Sequence, residues 1–254
     1  MKRRTTKILD MLTANHRIKV SLLSEMLGVS QVTIRKDLDI LEKQGFIRRV
    51  HGYATLEGAD EIGRRMAFSY SAKRQIARKA ASLVEDGETI MLESGSCCAF
   101  LAEELAMSGK NITIITNSIF IANYLRKTPN IKVIILGGCY QPESQVLVGP
   151  ITVKSGKIFY TNKFFIGTDG FMPKYGFTGK AHMRVQTAKE LFDQTKEIYV
   201  LTEAAKFDAQ GVHGLIQFDK VTGVITDECI PKEAESVLTE NNVTVYKVSE
   251  SKSA

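Results

Sequence analysis

Four side chains in one short segment, Gln31, Thr33, Arg35 and Lys36, are of the types that read or hold a nucleic acid. Glutamine can pair with adenine and arginine with guanine through two parallel hydrogen bonds, whereas threonine and lysine more often meet phosphate. Gln31 and Arg35 are therefore expected to read bases, and Thr33 and Lys36 to hold the backbone. Arg48, Arg49 and His51 follow closely and suit the sugar-phosphate backbone or the minor groove. Residues 1–56 hold eleven Lys or Arg against five Asp or Glu, and the remainder of the chain carries 23 of each, so the whole +6 excess lies in the first fifth of 254 residues. That distribution is the footprint of a small polyanion-binding module on a neutral body. A basic, solvated surface without a partner is the plain alternative, and only the elements that carry these residues decide between the two.

Apolar spacing supplies those elements. Ile8, Met11 and Leu12 fall on one face of a helix over 5–14, which Asn15 ends. Ser21 is expected to cap a second helix containing Leu22, Leu23, Met26 and Leu27, which stops at Gly28, with Val29 packing inward. Ser30 caps a third helix running to about Gln44, with Ile34, Leu38 and Leu41 on its inner face and Gly45 as terminator. Two helices across a tight glycine turn make a helix-turn-helix, whose second helix enters the major groove. Gln31, Thr33, Arg35 and Lys36 lie off its apolar face. Asp37 and Asp39 are expected in surface ion pairs. The segments 46–50 and 53–56 read as strands joined at His51-Gly52, a wing with Arg48, Arg49 and His51 at its tip.

A second group of candidates sits in small polar loops farther along: Glu93-Ser94-Gly95-Ser96, Asn117-Ser118, Gly137-Gly138, Thr168-Asp169-Gly170 and Glu203-Ala204-Ala205-Lys206. These loops follow β-rich runs. Such runs at 89–92, 112–116, 132–136, 164–167, 198–202, 221–226 and 243–248 alternate with helical segments near 98–108, 118–127, 182–195 and 231–240. A further helix is expected from about Ala72, with Ile76, Ala80 and Leu83 on one face. Continuous apolar strands separated by helices imply the α/β class, a mostly parallel sheet flanked by helices. Ligands of such sheets bind outside the carboxyl ends of the strands. A strand ending in Ser-Gly-Ser and opening a helix presents N–H groups and hydroxyls at the positive end of the helix dipole, a ready phosphate cradle. Short Gly/Ser loops are nevertheless more often ordinary turns, Lys206 reads equally as a solvated lysine, and Asp169 as a turn former.

Composition narrows the classes. Apolar residues at 44% and charged residues at 24%, with only 19 glycines and 5 prolines, exclude collagen-like and low-complexity chains. No run approaches the roughly 18 to 20 apolar residues of a membrane span, and Lys2-Arg3-Arg4 leads into no apolar signal core, so a cytoplasmic location is expected. Cys97, Cys98, Cys139 and Cys229 form no C-x-x-C pair, and His16, His51, His182 and His213 show no ligand spacing, so neither metal nor cofactor is expected. The adjacent Cys97 and Cys98 read as buried thiols. The chain has no tryptophan and no aromatic-rich basic sheet, which argues against RNA.

The run from Ser30 to Gly45 resembles the T-x-R-x-D-L-x-x-L-E-x-x-G signature of the DeoR family of bacterial transcription regulators. Arg49-Val50-His51-Gly52 is similar to the family's R-x-x-G-G wing, with Tyr53 in place of the second glycine. Later motifs resemble D-x-G-[ST]-[TS] at 93–97, T-N-[ST] at 116–118, L-G-G at 136–138, G-x-D-G at 167–170 and D-S-S-K-F at 203–207. Asn117, Ser118, Asp169, Gly170 and Lys206 match directly. Glu93 and Glu203 replace shorter aspartates, Cys97 replaces a hydroxyl residue, and Ala204-Ala205 lacks two serines. Val185 stands where the family has a glutamate four residues before the lysine at Lys189. The departures point to an altered effector pocket.

The resemblance implies a winged helix-turn-helix over 1–57, a linker over 58–71, and a sensor domain over 72–250 similar to pentose-phosphate isomerases. It implies a regulator, commonly a repressor of a sugar-metabolism operon, that binds a double-stranded DNA operator. A phosphorylated sugar is the expected effector, held by Glu93, Ser94, Gly95, Ser96, Asn117, Ser118, Asp169, Gly170 and Lys206. One module spans only a half-site, so a homodimer or homotetramer is expected. The competing class is a sugar-phosphate isomerase with a DNA-binding appendage, which needs a proton-shuttling carboxylate; Val185 argues against it.

Overall fold

The structure, a computed structural model, describes residues 3–56 and 61–249. The chain divides into two compact units, Met1–Ser71 and Ala72–Ala254. Among the described residues no helix is long and apolar enough to cross a membrane.

The first unit begins with α1 (Arg3–Asn15), β1 (Arg17–Lys19), α2 (Val20–Leu27), α3 (Gln31–Lys43), β2 (Arg48–Val50) and β3 (Tyr53–Thr55). Ile8, Leu9, Leu12, Leu23, Ile34, Leu38 and Leu41 are fully buried, so the helical period does set the core. Helix α2 departs from expectation at its start. Its N-cap is Lys19, with no side-chain cap bond, and Ser21 sits in the first turn. Starting earlier puts Val20 and Leu23 inside and leaves Leu22 and Met26 exposed; Val29 is half-buried. Gly28 takes a left-handed φ of 63° that redirects the chain into α3, and Ser30 Oγ accepts the Thr33 N–H at 3.2 Å as the cap of that helix.

The three strands order as β1-β3-β2, all antiparallel. β1 was not expected, because three residues with one apolar side chain give no strand pattern. Val50 pairs with Tyr53, leaving His51 and Gly52 as a two-residue loop with φ of 45° and 79°. Both values are left-handed, as a tight hairpin that follows strand twist requires. Tyr53 is already in the strand, so the absent second glycine costs the turn nothing.

The segment 58–71, expected as a linker, instead contains α4 (Glu61–Ala67), with Ile62, Met66 and Ala67 buried. A Cβ on Gly63 would strike the Gly45 carbonyl, so α4 rests on the end of α3 through a glycine. Residues 57–60 of the expected boundary lie outside the described residues, as do Met1, Lys2 and 250–254.

The second unit runs α5 (Tyr70–Ser82, entering from the first), β4 (Thr89–Leu92), α6 (Ser96–Met107), β5 (Ile112–Thr116), α7 (Ile119–Leu125), β6 (Ile131–Ile135), β7 (Cys139–Gln141), β8 (Val146–Val148) and α8 (Pro150–Gly156). It continues β9 (Thr161–Gly167), β10 (Gly170–Met172), β11 (Gly176–Gly179), α9 (His182–Lys189), β12 (Thr195–Leu201), β13 (His213–Ile216), β14 (Gly223–Asp227), α10 (Lys232–Glu240) and β15 (Thr244–Val248). Seven strands form one sheet, β15-β14-β12-β9-β4-β5-β6, in which every pairing is parallel. These are the seven apolar runs seen in the sequence. Phe164, Ile166, Val200 and Val224 pack in one core with Phe177, Val185 and Leu191. The antiparallel sheets β10-β11-β13 and β7-β8, and helix α8, were not expected: their strands are only three or four residues long, too short for an alternating pattern to show.

Strand order places the site. The chain steps outward from β4 to β5 to β6, then returns to β9 on the other flank of β4, so β4 and β9 border the switch point where a parallel sheet opens a crevice. Leu92 pairs with Phe165 and Thr116, and Leu201 with Gly167, which brings the loops after β4, β5, β9 and β12 to one edge.

Candidate functional site

On the first unit, Gln31, Arg35 and Lys36 are exposed on α3. Thr33 is half-buried and its hydroxyl lies 3.0 Å from that of Ser30, so it also serves the helix start. Asp37 is not a surface partner as expected. It is buried and takes the guanidinium of Arg4 on both carboxylate oxygens, because it lies between Ile34 and Leu41 on the inner flank of α3, where α1 packs.

Arg49 is likewise engaged within the molecule. It meets Asp39 at 2.7 Å and Glu42 at 2.8 Å, and its backbone N–H donates to Glu42 at 2.9 Å. Partial burial would raise the Glu42 carboxyl, but the Arg49 N–H and guanidinium, with the charge of Arg48, outweigh it and hold the group below its ordinary value. Arg49 therefore clasps the wing to α3, while Arg48 and His51 remain exposed at its tip. The guanidinium of Arg17 stacks 3.9 Å from the centre of the Tyr53 ring, adding an exposed cation on β1 that the sequence did not single out.

In the second unit, α6 starts at Ser96 with Gly95 as its cap and no side-chain cap bond. A Cβ on Gly95 would lie 3.2 Å from the Gly167 Cα, so these two glycines let the β4 and β9 loops close on each other at the switch point. Glu93 Oε1 accepts the Ser94 hydroxyl at 2.9 Å and faces Arg184 of α9 at 3.6 Å. Ser94 is buried and Ser96 half-buried. Among the described residues Lys206, half-buried after β12, makes no side-chain ion pair.

The other expected residues reach the same edge with structural duties. The Asn117 amide donates to the Leu147 carbonyl at 2.9 Å, and Ser118 caps α7 by accepting the Ile121 N–H at 3.2 Å. Asp169 accepts the Lys180 N–H at 2.8 Å, and a Cβ on Gly170 would strike the Ala209 carbonyl. Glu203 pairs with Lys73 of α5 at 3.4 Å, both nearly inaccessible, and Asp227 accepts the Ala204 N–H at 2.7 Å to fix the turn that carries Lys206.

Arg184, Lys73 and Asp227 were not foreseen. A basic residue in a helix reads as solvated until the sheet order is known, and only Asp227, ending an apolar run, gave a hint. A wider depression of about 610 Å³ lies along β13, lined among others by Tyr175, Lys189, Phe192, Leu215 and Lys220, and none of the expected effector residues borders it. Cys97 and Cys98 are buried, and burial pushes the Cys98 thiol well up, which keeps it unreactive. Among the described residues no cluster of His, Cys, Asp and Glu could hold a metal ion.

Residues 4–58 match the DeoR-like helix-turn-helix domain, and residues 69–228 match the DeoR C terminal sensor domain. The chain belongs to the DeoR family. As a DeoR-family protein it is a DNA-binding transcriptional regulator, with α2 and α3 as its helix-turn-helix. It is 31% identical to the HTH-type transcriptional regulator GolR of Listeria innocua over 233 residues, spanning 90% of this chain and 91% of that one. The putative aga operon transcriptional repressor of Escherichia coli O157:H7 is 27% identical, with 97% and 94% covered. Among solved structures, ribose 5 phosphate isomerase A from Neisseria gonorrhoeae has a TM-score of 0.41 at 18% identity, covering 55% of this chain and 54% of that one.

Proposed function

We propose that this DeoR-family chain represses a sugar-metabolism operon and that a phosphorylated sugar, held at the crevice between β4 and β9, changes its affinity for the operator. The observation that carries the effector reading is the uncapped, glycine-led start of α6 at the switch point of the sheet. Backbone N–H groups and the positive end of the helix dipole converge there, with the Ser94 and Ser96 hydroxyls alongside and Lys206 two strands away. Gln31 and Arg35 read base edges, and Thr33, Lys36, Arg48 and His51 meet the backbone. Arg49 supports that face from behind. A pair of half-sites calls for two or more copies of the module. The putative repressor of the aga operon supports the repressor assignment by likeness.

Ser96→Asp tests the effector site. A carboxylate there competes for the same donors and repels a dianion, so the variant should bind operator yet lose the response to ribose, fructose or tagatose phosphates. The wild-type coupling is expected at about 1–3 kcal/mol, or about 5- to 150-fold in operator affinity. Operator titrations with and without each sugar phosphate measure it, and a variant that responds like the wild type would place the effector elsewhere. Isomerase turnover is not expected: Val185 is buried, with its side chain over Gly179, where an isomerase would need a carboxylate. Steady conversion of these sugar phosphates by the pure protein would overturn the regulator-only reading.

A further inference from the structure

The depression of about 610 Å³ along β13 is of the size of small-molecule pockets, which run from roughly 300 to 1,000 Å³. Its floor is apolar, since Phe192, Leu215 and Ile216 are buried there beside Met172. At its rim Tyr175 and Val212 are exposed. Apolar side chains left to water at the mouth of an apolar hollow mark a binding surface, unlike the same residues scattered singly.

Gly214 lines the hollow without filling it. A glycine inside a strand costs stability, and two ordinary reasons for one are a left-handed backbone and a collision that excludes a Cβ. Other glycines around this small sheet have such reasons. Gly176 has a φ of 88°, and a Cβ would lie 2.4 Å from the Ala209 carbonyl at Gly170 and 2.5 Å from the Gly179 carbonyl at Gly211. Gly214 has neither: its backbone is not left-handed, and a Cβ there meets nothing within 4 Å. The irregular register opposite Phe177 and Thr178 does not demand it, because a bulge calls for glycine where the backbone is left-handed. The chain itself would tolerate a side chain at this position, so what that side chain would obstruct is an occupant from outside.

Charge at the rim has one sign. Lys189 and Lys220 line the hollow, and among the described residues no carboxylate does. Lys220 meets Asp193 at 2.9 Å, in a pair so exposed, at 49% and 81%, that it contributes little. Lys189, exposed in the last turn of α9, makes no side-chain ion pair among the described residues. Polar partners are few, and the Thr178 hydroxyl already accepts the Gly211 N–H at 2.8 Å. The hydroxyls of a sugar would lose water on this floor without replacing it. A flat apolar body with one negative charge matches floor and rim together.

We propose that this hollow is a second ligand site of the C-terminal unit, separate from the β4–β9 crevice, for a small monoanion with a flat apolar body, the class of aromatic carboxylates. The ring lies on Phe192, Leu215 and Ile216 across Gly214, and the carboxylate meets Lys189 and Lys220.

The test is calorimetric titration of the full chain with cinnamate, neutral cinnamyl alcohol and ribose 5-phosphate, with thermal melts to check folding and light scattering to follow the oligomeric state. Wild type should bind cinnamate about tenfold tighter than the alcohol. Gly214→Val should melt no lower than wild type, because a β-branched residue suits a strand, and should lose cinnamate affinity by about tenfold or more. Lys189→Gln combined with Lys220→Gln should weaken cinnamate about tenfold and leave the alcohol unchanged, a split that misfolding cannot produce. Ribose 5-phosphate should not displace cinnamate. The proposal is overturned if wild type binds cinnamate no tighter than the alcohol, or if Gly214→Val or the double lysine variant binds cinnamate like the wild type. Displacement by ribose 5-phosphate would overturn it in favour of a sugar-phosphate site, and a wild-type oligomer that Gly214→Val breaks up would overturn it in favour of a contact between copies.

Discussion

In the N-terminal unit the candidate contact residues come from one helix and the hairpin that follows it, Gln31 to Lys36 and Arg48 to His51, and they stand on an exposed face. In the C-terminal unit the candidates come from loops far apart in sequence, gathered only because β4, β9 and β12 are neighbours in a parallel sheet. The first surface is open and positive, and three nearby acids, Asp37, Asp39 and Glu42, are paired with Arg4 or Arg49. The second is lined by internal pairs, the Ser94 hydroxyl on Glu93 and Lys73 with Glu203.

The largest expected effect separates the units by stability. Leu38→Ala empties a fully buried position in the small unit and should cost about 2–5 kcal/mol, enough to abolish its fold and operator binding. Ile114→Ala removes comparable volume from the parallel sheet at similar cost, yet the larger unit should remain folded. Urea melts followed by circular dichroism, with operator titrations in parallel, check the contrast; loss of both units by both variants would end it.

Within the open surface, Arg35→Ala should remove discrimination between operator and scrambled duplex, at a cost of about 1–3 kcal/mol on operator alone. Arg48→Ala should weaken both duplexes alike and lower the slope of log affinity against log salt by about one. Fluorescence anisotropy across a salt series distinguishes the two, and equal loss of specificity would contradict the division of labour.

The smallest effect concerns the clasp at Arg49. Glu42 titrates below its ordinary value in the fold, so its stabilisation is complete above the unfolded value, about pH 4.3, and is lost as pH falls through the lower folded value. The melting temperatures of wild type and Glu42→Gln should therefore converge as pH drops from about 5 to about 3. A gap that stays constant over that range would show that the pair contributes nothing to the wing.

Much of this was legible in advance, for physical reasons that also mark where it stopped. The seven parallel strands are buried on both faces, so they appear as continuous apolar runs such as Ile112–Thr116. The strands β7, β8 and β10 are three residues each, too short for a period of two to show. The start of α2 depends on Val20 finding the core, which a serine at position 21 could not reveal. Asp37 reads as polar until α1 brings Arg4 to it. The loops around the crevice were found from strand ends, whereas Arg184 came from a helix that the same rule does not examine. The position of Glu93 over Gly95 was invisible because Glu93 looked like a longer aspartate, and its direction depends on how the loop after β4 turns.

The burial of Asp37 has a kinetic consequence. With Asp37 held by Arg4, and Asp39 and Glu42 by Arg49, three of the five acids of residues 1–56 are answered at close range. Arg35, Lys36, Arg48 and Arg17 then project a field of one sign into solvent. A duplex diffusing toward the module is turned before contact, so encounters arrive in the productive orientation more often than chance allows. That advantage lies in how fast complexes form, not in how long they last, and it fades once ionic strength shortens the reach of the field to about 10 Å or less, near 0.1 M salt and above.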